Sequence, residues 1–171
     1  MFDKTNTRVI WQETKPITYG PSTIQTLKRG DNENFFGGGM QNGYFSHRDT
    51  SVNIRLNTRG WNDGATPNPA PFYMSTAGYG VFRNTMSPGK YDFLAPLALS
   101  HDEARFDAYY FYGASLKKIL DGYTLVTGRP FMMPRYGLEY GDADCYNKTG
   151  KTIDVVERVA KKYRENDMPG G

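Results

Sequence analysis

The chain has 171 residues, with 21 Lys and Arg against 18 Asp and Glu, and a net charge of +3, too weak a field to point to nucleic acid. A single cysteine, Cys145, excludes an internal disulfide, and no run approaches the roughly 18 apolar residues of a membrane span. The length suits one domain with a good core, or one domain and the beginning of another.

Residues 1–6, Met-Phe-Asp-Lys-Thr-Asn, hold no apolar core of a signal peptide. A lone cysteine fits a reducing compartment such as the cytoplasm, and equally a secreted protein that needs no staples. Aromatic residues make up 15% of the chain, with 13 Tyr, beside 19 Gly. Rings between glycine-rich turns predict an antiparallel β domain. The same rings could stack on the apolar face of a pyranose, although core packing accounts for them equally well.

Residues 7–12 and 23–27 are short strand candidates, separated by Pro16 and the Gly20-Pro21 turn. The stretch 34–47 contains Gly37-Gly-Gly39, which predicts backbone in unusual conformations or in close contact with a neighbour. It is no phosphate loop, because the GxGxxG spacing and a following helix are both missing. Residues 51–57 alternate, with Val52, Ile54 and Leu56 on the face expected to be buried. The stretch 58–71 is rich in Asn, Asp, Gly and Pro around Trp61, a long polar loop of the kind that often carries function. Residues 71–76 and 79–84 read as strands joined by an Ala77-Gly78 hairpin, and strands follow near Tyr91 and over 104–112. About eight strands with no helix among them predict a β-sandwich.

The period then changes. Ser115 is a good N-cap, Leu116, Ile119, Leu120 and Tyr123 follow helical spacing, and Gly128 is a suitable terminator. Residues 134–141 read as a further strand, closed by Asp142 and Asp144. After the turn 147–150 a helix is expected from about Thr152 to Glu165, burying Ile153, Val156, Ala160 and Tyr163.

Several arrangements invite a chemical reading. Gly150-Lys-Thr152 resembles the end of a phosphate loop, but the glycine required five positions earlier is Cys145, so a helix-entry turn is the better account. Neither Cys145 nor the two histidines, His47 and His101, have nucleophile or metal spacing, and both histidines are expected to be surface or satisfied structural residues. No metal and no cofactor are expected. Asp142 and Asp144, two apart, would share one face at the C-terminal end of a strand, either as solvated carboxylates or as ligand-binding groups. Asp63 in Gly60-Trp-Asn-Asp-Gly64 is either a turn aspartate before glycine or, beside the Trp61 ring, a group for sugar hydroxyls.

These residues also form a pattern. Phe35-Phe-Gly-Gly-Gly-Met-Gln-Asn-Gly43, Trp61-Asn-Asp-Gly64, Pro71-Phe-Tyr-Met-Ser-Thr76 and Gly78-Tyr-Gly-Val-Phe-Arg-Asn-Thr85 resemble the N-terminal sandwich of glycoside hydrolase family 31. Residues 112–123 and Thr127-Gly-Arg-Pro130 resemble the family's connector, and Pro134-Arg-Tyr-Gly-Leu138 its first barrel strand. The resemblance implies a galactose-mutarotase-like antiparallel β-sandwich over 1–112, a connector helix and linker over 113–131, and the truncated start of a (β/α)8 barrel over 132–171. It implies hydrolysis or transfer of α-glucosyl groups by a retaining mechanism, with an α-glucan or α-glucoside oligosaccharide as partner. Asp63 matches the family's substrate-binding aspartate on a sandwich loop, with Trp61 beside it, and Asp144 and Asp142 would line the same pocket. The family's catalytic aspartates lie on later barrel strands, so no residue here is assigned as catalytic and the 171 residues alone are expected to be inactive. The competing expectation is a stand-alone carbohydrate-binding sandwich without catalysis.

Overall fold

The computed structural model describes residues 7–56, 62, 64–138 and 152–168. The chain divides into two compact units, Met1–Gly128 and Arg129–Gly171.

The first unit is a sandwich. Its strands are β1 (Thr23–Leu27), β2 (Phe35–Met40), β3 (Ser51–Ile54), β4 (Asn68–Ser75), β5 (Tyr79–Arg83), β6 (Gly89–Asp92), β7 (Leu97–His101) and β8 (Ala108–Tyr112). They pair antiparallel in two four-stranded sheets, ordered β1-β7-β6-β3 and β2-β4-β5-β8. Alternation decides which residues meet between the sheets. In the first sheet one inward row runs Gln25, Leu99, Tyr91, Val52, and in the second Gly37, Tyr73, Val81, Tyr110. Phe35 stacks on Phe93 with ring centroids 4.7 Å apart, and Tyr73 meets Phe93 edge-on at 5.4 Å. Most aromatic residues of the strands are thus core.

The outer face of the second sheet is covered by helix α1 (Leu116–Thr127). Ser115 caps it, its hydroxyl accepting from the Lys118 N–H at 3.3 Å. Phe72, Phe111 and Ile119 form a second buried cluster, with Phe82 and Tyr123 against it. The Tyr123 ring lies on Phe72 at 3.9 Å, nearly parallel. Glycine permits this close approach: a Cβ on Gly80 would sit 2.5 Å from Ile119 Cγ2, and one on Gly113 2.9 Å from Lys118 Cβ.

Three strand expectations need correction. Residues 7–12 form no strand: Trp11 instead stacks on Tyr110 at 4.8 Å, and Ile10 is buried. This stacking and isolated backbone bonds to the end of β1 hold the arm in place of a full ladder: Lys28 N–H donates to Gln12 O at 2.9 Å, and Glu13 forms a single bridge with Leu27. β3 stops at Ile54, so Leu56 is 62% exposed rather than buried. β7 was not foreseen, and β8 begins at Ala108 instead of 104. Pro96, joined to Ala95 by a cis bond, precedes β7 and disguises its start.

The second unit contains helix α2 (Thr152–Glu165), with the expected bounds. Arg135–Leu138, expected to be strand, is a 3-10 turn. A strand persists only when a neighbour completes its hydrogen bonds, and no described residue of this unit offers one. The stripe expected to be buried on α2 is largely open: Ile153 is 73% exposed, Val156 and Ala160 are exposed, and Val155, Val159 and Tyr163 are half-buried.

Candidate functional site

The glycine run shapes one end of the sandwich. Gly37, Gly38 and Gly39 have φ of +117°, +77° and +78°, in the region that side chains disfavour, and the register between β2 and β4 shifts across them. A Cβ on Gly39 would meet Asn68 O at 2.2 Å, so β2 and β4 approach here as only glycine allows. His47 fixes the bulge from the far side, its Nε2–H donating to Gly37 O at 2.8 Å while its ring stacks on Phe93. Burial favours the neutral ring and holds the His47 pKa below its usual value, outweighing the bond to Gly37 O, which favours the protonated form.

The bulge delivers the chain into a loop over residues 41–46, which clamps a second loop. Gln41 Nε2 donates to Gly38 O at 2.7 Å and to Asn53 O at 3.3 Å. Asn42 N–H donates to Ala65 O at 3.1 Å, Gly64 N–H donates to Asn42 O at 3.0 Å, and Asn42 Nδ2 donates to Asn62 O at 3.4 Å. Ala65 and Thr66 are buried, and the Thr66 hydroxyl donates to Arg55 O. Asn62, Gly64 and Ala65 are therefore each held to Asn42 by a hydrogen bond.

Trp61, Asp63, Asp142 and Asp144 all lie outside the described residues, as do Cys145 and Gly150-Lys151. The described neighbours of Asp63 are Asn62 and Gly64, both tied to Asn42. Asn42 and Gln41 escaped the sequence reading. The Asn42-Gly43 pair next to a glycine run was the available signal, a turn dipeptide whose amide can bond to a neighbouring loop. Both histidines are buried, but only His101 has both ring nitrogens paired. Its Nδ1–H donates to Ser87 O at 2.9 Å and its Nε2 accepts from the Tyr91 hydroxyl at 2.9 Å, whereas His47 Nδ1 is buried without a partner among the described residues. Burial lowers the His101 pKa also. Among the described residues no group of three or more His, Cys, Asp or Glu could hold a metal ion.

Beside the second loop, the outer face of the first sheet has a shallow hollow of about 490 Å³, lined by Asn53, Arg55, Leu56, Gly89, Lys90, Ser100 and Asp102. Arg55 and Asp102 pair across it at 3.0 Å. Both are exposed, so the pair contributes little to stability.

Two four-stranded antiparallel sheets packed face to face, with a helix on the outer face of the second, define the class of this domain as a β-sandwich. Residues 2–92, just over half the chain, match the glycosyl hydrolase 31 N-terminal galactose mutarotase-like domain, and the chain belongs to that family. It is 30% identical over 145 residues to an α-xylosidase of Emericella nidulans, covering 77% of this chain and 18% of that protein. Over 146 residues it is 26% identical to an isomaltosyltransferase of Sporosarcina globispora, covering 77% and 13%. Among solved structures, a GH31 dextranase of Flavobacterium johnsoniae complexed with glucose superposes with a TM-score of 0.78 at 20% identity, covering 99% of this chain and 22% of that one. A cycloalternan-degrading enzyme of Trueperella pyogenes in complex with isomaltose gives 0.67 at 20% identity, covering 87% and 23%. The chain spans less than a fifth of the length of these curated relatives.

Proposed function

We propose that this chain is the N-terminal part of a retaining α-glucoside-active enzyme, and that its sandwich contributes a substrate-binding loop to an active site completed elsewhere. The observation that carries this reading is the clamp of Asn42 on residues 62–65, which gives the loop bearing Trp61 and Asp63 a rigid base. A short loop with fixed ends suits a tryptophan ring for stacking and a carboxylate for hydroxyl groups. In this reading residues 1–112 are the sandwich, 113–131 the connector, and 132–171 the opening of a (β/α)8 barrel, where Asp142 and Asp144 would line the pocket. Support for a second domain comes from the likeness to the dextranase structure, which extends over 99% of the chain. Relatives named for dextran, isomaltosyl transfer and cycloalternan favour an α-glucan as substrate.

Retaining chemistry needs a nucleophilic carboxylate and a general acid/base flanking the glycosidic bond. Neither role is assigned within residues 1–171, so the chain should bind sugar without turning it over. Isothermal titration of the purified chain with isomaltose should give measurable heat that Asp63→Asn removes. The same protein should release no nitrophenol from an aryl α-glucoside. Catalytic release continuing beyond one equivalent, with the Asp63 variant unchanged, would overturn the proposal.

A further inference from the structure

The loop that Asn42 belongs to also carries Tyr44 and Phe45, and neither joins the core. Phe45 is 90% exposed and Tyr44 57%. Phe45 meets the half-buried Phe36 edge-on, with centroids 5.5 Å apart. This contact steadies the Phe45 ring while its faces stay open to solvent. Exposed apolar rings at consecutive positions of an anchored loop are costly to leave wet, and they mark contact surfaces. The stretch from Met40 to Ser46 contains no charged residue, so an anionic ligand finds no cation on this loop. The chemistry fits a neutral ligand with an apolar face.

We propose that Tyr44 and Phe45 form a stacking platform for a glucosyl unit of an α-glucan, beyond the unit contacted by the Trp61–Asp63 loop. The inference rests on the function proposed above and extends it to a second sugar position. Phe45 stands three positions after Asn42, a span of at most about 11 Å, and Asn42 is bonded directly to Asn62, Gly64 and Ala65. An oligosaccharide seated on these rings is therefore also within reach of the turn that Asn42 holds. Each aromatic ring presents a face to the C–H side of a pyranose, and the Tyr44 hydroxyl can bond to its edge.

Affinity electrophoresis of the intact chain in gels containing dextran tests this. Phe45→Ala should raise the apparent dissociation constant about fivefold, Tyr44→Ala somewhat less, and Phe45→Tyr should restore binding. Tyr19→Ala, an exposed ring remote from this loop in sequence, should leave retardation unchanged. Because Phe45 is exposed, its variants should keep the wild-type melting midpoint within about 2 °C. Asp63→Asn separates the two proposals. Loss of retardation with Asp63→Asn but not with Phe45→Ala or Tyr44→Ala overturns the platform and leaves the proposed function standing, the rings then serving as a protein contact. The converse result supports the platform and removes Asp63 from substrate binding. A wild-type chain that dextran does not retard overturns both.

Discussion

Helices α1 and α2 carry apolar residues at the same helical spacing, yet only one of them has a buried side. In α1, Ile119 is fully buried over Gly80, between Phe72 and Phe111. In α2, Ile153 is 73% exposed and no described side chain is fully buried. The periodicity of a helix thus reveals which face wants burial, but the surface opposite decides whether burial happens. For α1 that surface was prepared by glycines at the points of contact and aromatic rings around them.

The largest effect should come from removing the buried member of the pair. Ile119→Ala should lower the unfolding free energy by about 3 kcal/mol, read from urea denaturation, because the cavity lies between α1 and the sheet. A loss below about 1 kcal/mol would show that the helix is loosely seated. Gly80→Val attacks the same contact from the sheet side. Its added carbons must displace Ile119, and a cost of about 2 kcal/mol is expected.

The next effect is one of pH. Both histidines of the chain are buried in the first unit, with pKa values held down mainly by burial. The unfolded chain, with ordinary histidines near pH 6.5, therefore binds protons that the folded state refuses. Stability is full above that pH and falls as the solution is acidified through 6.5 towards the lower folded values. The slope should reach at most about 1.4 kcal/mol per pH unit for each histidine. Urea midpoints compared at pH 7.5 and 5.5 should show the decline, and His101→Gln should flatten it. An unchanged slope in the variant would mean that other groups carry the response.

The smallest effect should be at the exposed member of the pair. Ile153→Ser should change stability by less than about 0.5 kcal/mol. It should, however, reduce self-association seen by light scattering, since it removes an exposed apolar side chain from a helix whose neighbours Val156 and Met168 are exposed too. A loss comparable to Ile119→Ala would erase the contrast between the helices.

Much of the sandwich was legible because its signals are local. Val52 and Ile54 alternate with polar neighbours, Gly78 marks the β4–β5 hairpin with φ of +96°, and Ser115 caps α1. The misses are those that tertiary contacts decide. Thr7 to Gln12 had the composition of a strand, but stacking of Trp11 on Tyr110 left it beside β1 without a ladder. Leu97–His101 was hidden because Pro96 stands before it and its polar partners His101 and Ser100 break the apolar pattern. The residues alone left Asp63, beside Trp61, open between a turn aspartate and a sugar-binding group, and both lie outside the described residues. Asn42, some twenty positions away, bonds to their described neighbours where no pattern predicts it. Glycines 37–39 were recognised as unusual, though their task of bending β2 towards that loop emerges only from the register shift.

The bond between the Thr66 hydroxyl and Arg55 O sits where the second loop leaves and rejoins the sandwich. Thr66 is buried and Arg55 directly follows β3, so this bond closes the loop at its base, and lengthening a loop closed in this way costs only a slowly growing entropy. Such a joint behaves like a socket: an insertion between residues 55 and 62 that keeps the bonds to Asn42 should leave the sheets in register. Descent with variation can then change the length of this loop without renegotiating the fold.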